Sequence, residues 1–247
     1  MLLGALLLAA GQRACLLGWA GDASPIVRAL EPFVENHSLA GAVTLVATKD
    51  KVLSVEAVGY ADVEARRPMK PDALFWIASM SKPLTATAFM MLVDETKVNL
   101  DDPVEKYLPE FKGQMVAVEQ NEDHVLLKKP ARPITVRDVL SHTSGLPFAS
   151  RVEPKIDQHP LREAVISYAL TPLQSQPGTK YAYSNAGINT AGRIIEVVSG
   201  MPYQVFMDQR LFKPLGMKDT TLWPNAAQLK RLAHGGQLRQ RHRLLGG

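Results

Sequence analysis

Ser79 and Lys82 stand three residues apart at the head of the apolar stretch SMSKPLTATAFMMLVDETK. On a helix, residues three apart share a face, so both side chains can project into one cleft. A serine hydroxyl is a poor nucleophile until a base takes its proton, and a lysine serves once burial or neighbouring positive charge lowers its pKa. The partial positive charge at a helix N-terminus favours a developing oxyanion and disfavours a protonated lysine. An S-x-x-K tetrapeptide alone is common by chance and usually means a solvated first turn. A second element adds weight: Tyr183-Ser184-Asn185 within KYAYSNAG, placed between Pro177-Gly178 and a helix expected from about Gly187. A loop tyrosine can shuttle a proton between a serine and a leaving group, and a nearby lysine favours its phenolate. Asn185 can hydrogen-bond a substrate or Lys82. Tyr181 competes with Tyr183 for the role but lacks an asparagine two positions on.

These residues need a scaffold. The spacing of Ile26, Leu30, Phe33 and Val34 predicts a helix over Pro25–Asn36. Ala42–Ala47 and Val52–Val58 read as strands of a hairpin turning at Thr48-Lys49-Asp50-Lys51. Leu84–Val93 is apolar nearly all round, as in a helix buried on every side, and Pro83 fits its first turn. Ile134–Leu140 opens a further helix, with Thr135 as N-cap and Asp138 three residues on. Leu161–Leu170, Gly187–Ser199 (closed by Gly200 and Pro202) and Tyr203–Phe212 also read as helices. From about Leu84 to Leu215 the chain is therefore expected to be mainly helices and loops.

Three blocks, IASMSKPLTATAFMMLVDETKVNLDDPVEKYLPEF, RPITVRDVLSHTSGLP and PGTKYAYSNAGINTAGRIIEVVSG, together resemble the class C β-lactamase superfamily. That group includes penicillin-recognising serine enzymes, DD-peptidases and family VIII carboxylesterases. The resemblance spans roughly residues 40–225. It implies a transpeptidase-like fold: an α/β part with an antiparallel sheet and helices, beside an all-α domain, the site lying in the cleft between them. It implies Ser79 as the acylated nucleophile, Lys82 as the activating base, Tyr183 as the proton shuttle of a Y-x-N motif and Asn185 as its substrate-facing amide. The LSHTSGL block, with His142, Ser144 and Gly145, is similar to a structural turn of the family, and no catalytic part is assigned to His142. The family also carries a Lys/His-Thr/Ser-Gly motif on a late strand that supplies an oxyanion-hole N–H, and no such triplet follows Tyr183. Thr143-Ser144-Gly145 lies between the first two motifs, and His234-Gly235-Gly236 is only superficially similar. The fold is thus expected to be incomplete, a C-terminally truncated form. One lost oxyanion donor costs about 10²–10³ in rate, so an impaired or inactive remnant, or a penicillin-recognising binder without turnover, stands beside the hydrolase reading. Within the latter, small esters are expected ahead of amides and β-lactams, because β-lactam turnover needs a well-placed deacylating water.

Composition bounds the rest. The chain has 247 residues, 46% hydrophobic and 21% charged, which is globular usage. Of 28 basic residues, five fall from Lys230 onward with no acidic residue among them, so the net charge of +4 belongs to this end and the body is close to neutral. Residues 1–24 read as a signal or apolar segment, residues 25–229 as the partial hydrolase domain and residues 230–247 as a basic, disordered tail. Met1–Ala10 has the length of a signal h-region but no basic residue ahead of it, and Gly18-Trp19-Ala20 is a passable cleavage site. The expected location is periplasmic or secreted if residues 1–20 act as a signal, and cytoplasmic otherwise. No stable membrane span is expected beyond that segment. The single cysteine, Cys15, reads as a small buried hydrophobe. No H-E-x-x-H pattern, i,i+4 histidine pair or glycine-rich phosphate loop is present, so no metal and no cofactor are expected. Sparse aromatics, at 6%, argue against nucleic acid as a partner and leave a small-molecule substrate.

Overall fold

The computed structural model describes residues 24–149 and 160–234. Residues 1–23 with Cys15, residues 150–159 and the tail from Gly235 onward, with its remaining arginines, lie outside that range. The chain divides into two compact units, residues 1–75 with 231–247 and residues 76–230.

The first unit begins with helix α1 (Pro25–Glu35), capped by the Ser24 hydroxyl, which accepts the Val27 N–H at 3.2 Å. Ile26, Leu30 and Val34 turn inward at helical spacing and Phe33 stays exposed. Strands β1 (Gly41–Ala47) and β2 (Val52–Asp62) form the expected hairpin, with the Thr48 N–H bonded to the Lys51 carbonyl at 2.8 Å. A two-residue β3 (Arg67–Pro68) completes an antiparallel sheet of order β1-β2-β3. Gly41 and Gly59 face each other across it, and a Cβ on Gly41 would lie 2.6 Å from the Tyr60 carbonyl oxygen. Leu45, Val46, Val52, Leu53 and Val55 are exposed on these strands, an apolar surface of the kind that invites association. Residues Leu232 and His234 bridge in parallel to Leu74 and Asp62, and Arg231 donates to the Asp72 carbonyl at 2.7 Å. The tail expected from Lys230 therefore opens inside helix α7 (Ala226–Arg231) and continues into these bridges.

The second unit is built on α5 (Asn185–Ser199), which packs against α2 (Ser81–Asp94), α3 (Val136–Leu140), α4 (Leu161–Ala169) and α6 (Tyr203–Phe206). Ala191, Ile194 and Ile195 of α5 meet Phe89 and Leu92 of α2, Val165 and Tyr168 of α4, and Phe206 in one continuous core. Three expectations are corrected. Helix α2 buries Thr85, Ala88, Phe89 and Leu92 and leaves Met90 exposed, so its all-round apolar character does not mean burial on every side. The stretch expected to be mainly helices and loops also holds a hairpin not foreseen there, β4 (Val116–Gln120) and β5 (Val125–Lys128), turning at Asn121–His124. Its alternation is too short to stand out, and it is anchored by a bridge from Val116 to Leu173. The helix over 203–212 widens into a π-helical turn at Met207–Phe212, which seats Met207, Leu211 and Phe212 in the core. Among the described residues no helix is long and apolar enough to cross a membrane.

Because Phe89 is fully buried and Met90 is 38% exposed on the same helix, Phe89→Ala is expected to cost about 3–5 kcal/mol and Met90→Ala under about 1 kcal/mol. Urea unfolding of the two variants measures this.

Candidate active site

All four sequence-predicted site residues belong to the second unit. Ser79 lies in a single 3-10 turn, Ala78–Met80, one step ahead of α2 rather than inside it. Ala78 sets that turn at φ +44°, a conformation rarely adopted by residues with a Cβ. The turn leaves Ser79 exposed and aims it at Lys82 in the first turn of α2, whose Nζ donates to Ser79 Oγ at 3.0 Å.

The partner arrives from the segment before α5. The Lys82 Nζ sits 4.7 Å from the centre of the Tyr183 ring. Hydrogen bonding to Lys82, and then to Ser79, holds the Tyr183 phenol below the ordinary tyrosine value. Tyr181 lies apart from this contact: its ring stands edge-on to His142 at 5.9 Å and it is 65% exposed. Asn185 falls on the first residue of α5, two residues earlier than the expected helix start, because the Ser184 hydroxyl caps the helix by accepting the Gly187 N–H at 2.9 Å. The structure does not join the Asn185 side chain to Lys82; Asn185 is half-buried on the helix end next to Tyr183.

His142 was read from sequence as part of a turn, and its side chain reaches further than that. Its Nδ1 accepts the Ser184 N–H at 3.1 Å and its ring lies against Tyr183 with centroids 4.7 Å apart. Burial, and then the Lys82 charge, hold its pKa below the ordinary histidine value, so the ring is neutral at pH 7. The motif SHTSGLP carries the signal for this turn, but nothing in its spacing says that it meets residues 182–184.

The turn itself is fixed by Asp138, which is 3% exposed. Arg132 grips its carboxylate with two nitrogens, at 2.5 and 2.9 Å, and Thr135 donates from its N–H and hydroxyl at 2.9 and 2.8 Å, closing the expected capping box. Thr143 donates its N–H to the Asp138 carbonyl at 2.8 Å. Gly145, at φ +79°, has no room for a side chain, since a Cβ would lie 2.4 Å from the Ser175 carbonyl oxygen. Among the described residues no group of three or more His, Cys, Asp and Glu side chains is placed to hold a metal ion.

A family model described as Beta-lactamase matches residues 26–245. Protein Rv1367c of Mycobacterium tuberculosis is 36% identical over 215 residues, which cover 83% of this chain and 53% of that protein. Esterase EstB of Burkholderia gladioli is 34% identical over 200 residues, covering 75% of this chain and 48% of the esterase. Among solved structures, EstCE1, a hydrolase with promiscuous acyltransferase activity, superposes with a TM-score of 0.70 at 28% identity, over 84% of this chain and 54% of that one. The chain belongs to the β-lactamase family, with the β-lactamase/transpeptidase-like fold expected from its motifs, and it spans about half the length of these relatives.

Burial pushes the Asp138 carboxyl up, but Arg132 and the two Thr135 bonds outweigh it and leave the group below its ordinary value of 3.8. A carboxyl with a depressed folded pKa stabilises above its unfolded value, and that stability is lost as pH falls through the folded one. Asp138→Ala is therefore expected to cost about 3 kcal/mol at pH 7 and less at an acid pH well below the ordinary value of 3.8. Chemical denaturation at the two pH values measures the difference.

Proposed function

We propose that this chain carries the reaction centre of a serine hydrolase that works through an acyl-serine on small esters, with amides and β-lactams behind them. The observation that carries this reading is the 3.0 Å contact of Lys82 Nζ with Ser79 Oγ, with the same Nζ 4.7 Å from the centre of the Tyr183 ring. Esterase EstB and the hydrolase EstCE1 among the similar proteins support the reaction class.

Ser79 Oγ attacks the ester carbonyl carbon. The Lys82–Tyr183 pair takes up the serine proton and returns it, through the phenol, to the leaving alkoxide as the C–O bond breaks. Water then attacks the acyl-serine, gives its proton to the same pair, and the acid departs while Ser79 regains its hydrogen. The positive end of α2 faces the charge that develops on the carbonyl oxygen. Asn185, at the start of α5, is the amide available to the substrate. An open site suits activated esters, since Ser79 is exposed and Tyr183 is 40% exposed. The same exposure favours a second reading, a chain that is acylated but turns over slowly, because donors that stabilise an oxyanion lose strength when water reaches them.

Intact mass after brief exposure to a fluorophosphonate is expected to show one adduct on the parent and none on Ser79→Ala. A folded parent that takes no label overturns both readings. Lys82→Met and Tyr183→Phe are expected to lower kcat/KM for p-nitrophenyl acetate by at least ~10²-fold. A labelled chain that releases p-nitrophenol in a single burst without turnover selects the slow-deacylating form.

A further inference from the structure

Among the described residues, His142 is a polar group against the catalytic tyrosine that the proton path leaves unused. Its backbone stands at φ +59°, a left-handed conformation that histidine, asparagine and aspartate tolerate better than other residues with a side chain. From there it holds the chain on both sides of Tyr183. Its carbonyl oxygen accepts the Ala182 N–H at 2.8 Å and its Nδ1 accepts the Ser184 N–H at 3.1 Å. Between these two bonds its ring lies on Tyr183, the planes 31° apart, and Phe148 stacks on the same tyrosine at 6.3 Å. The Ser184 hydroxyl adds a bond to the Pro147 carbonyl at 2.7 Å, so residue 184 cannot follow a shift of residue 183.

We propose that His142 is the positioning residue of this site: as a neutral imidazole protonated on Nε2, it clamps residues 182 and 184 and braces the Tyr183 ring, holding the phenol against Lys82 and Ser79. The inference rests on the reading of Ser79, Lys82 and Tyr183 as the reaction centre. The chemistry requires histidine rather than a generic filler. The N–H of Ser184 needs a lone pair, which phenylalanine lacks, and the Tyr183 ring needs an aromatic partner, which asparagine lacks. A protonated ring would set an N–H against the N–H of Ser184 and break that bond. The titratable groups facing the ring are Lys82 from α2 and Tyr181 and Tyr183 from the segment ahead of α5. The Asp138 carboxylate of α3 is occupied by Arg132 and Thr135. Burial and the Lys82 charge both disfavour the cation, consistent with a ring that must stay neutral.

Two variants of the full chain separate the clamp from packing. His142→Asn keeps an acceptor near the Nδ1 position and tolerates the backbone, but removes the ring. His142→Phe keeps a ring and removes the acceptor. Fluorophosphonate labelling of Ser79 is expected to slow roughly tenfold in His142→Asn and roughly a hundredfold in His142→Phe, as misplacement of a catalytic group by about 1 Å does. A role in packing alone reverses that order, and wild-type rates in either variant overturn the proposal. A second readout needs no activity: the ionisation of Tyr183, taken as the ultraviolet titration difference from Tyr183→Phe in each background. It is expected depressed in the parent and back near a free tyrosine in His142→Phe. No change in a folded variant overturns the proposal. Imidazole ¹⁵N shifts of the parent, assigned by loss in His142→Asn, are expected to show a bare Nδ1 at pH 7, and a proton there overturns it even if His142→Phe fails to fold. A parent that does not label defeats the hydrolase reading, while the titration and the ¹⁵N shifts still decide the positioning role.

Discussion

A carboxylate shut away from water must be fully paired, and Asp138 is the place where this chain meets that demand. Its partners come from three directions: Arg132 before α3, Thr135 at the cap of α3, and Thr143 in the turn after it. Satisfying one buried charge thus fixes the start of a helix and the course of the turn that follows. The loop carrying Tyr183 is tied to that turn by main-chain bonds, from Gly178 to the Thr143 carbonyl and from Ala182 to the His142 carbonyl. A break at Asp138 is expected to reach Tyr183 through these bonds, although the two residues do not touch.

The Ser79–Lys82–Tyr183 cluster is built on the opposite principle. Ser79, Lys82 and Tyr183 meet near the surface, where coulombic forces are weak and geometry must do the selecting. Geometry comes from backbone positions that are costly by themselves: the positive φ of Ala78 ahead of the serine and of His142 beside the tyrosine. Such positions persist only when their surroundings over-determine them, and both turns adjoin helices, α2 and α3, that are seated in the core. A rigid interior thereby holds an exposed constellation.

The sequence motifs expected at the site are found near one another, but the structure assigns them unequally. Lys82 and Ser79 are neighbours by helical spacing alone, so their contact follows from three residues of separation. Tyr183 joins them from about a hundred residues away, and its preference over Tyr181 depends on which tyrosine lies over Lys82. Asn185 was expected in a loop and instead starts α5, since the Ser184 cap moves the helix end forward. The hairpin Val116–Lys128 was missed because alternation over so few residues does not rise above background.

By itself the amino-acid order determined what local physics controls: the α1 stripe, the β1–β2 hairpin and its turn, the Thr135–Asp138 capping box, the termination of α5 at Gly200, and the pairing of Ser79 with Lys82. Each depends on residues within a few positions of one another, where periodicity and capping chemistry are decisive. Only the tertiary structure decided that Met90 stays outside while Phe89 goes in, and that His142 lies against Tyr183. Those outcomes rest on contacts between segments far apart in the chain, and such contacts exist only after the helices have packed around α5.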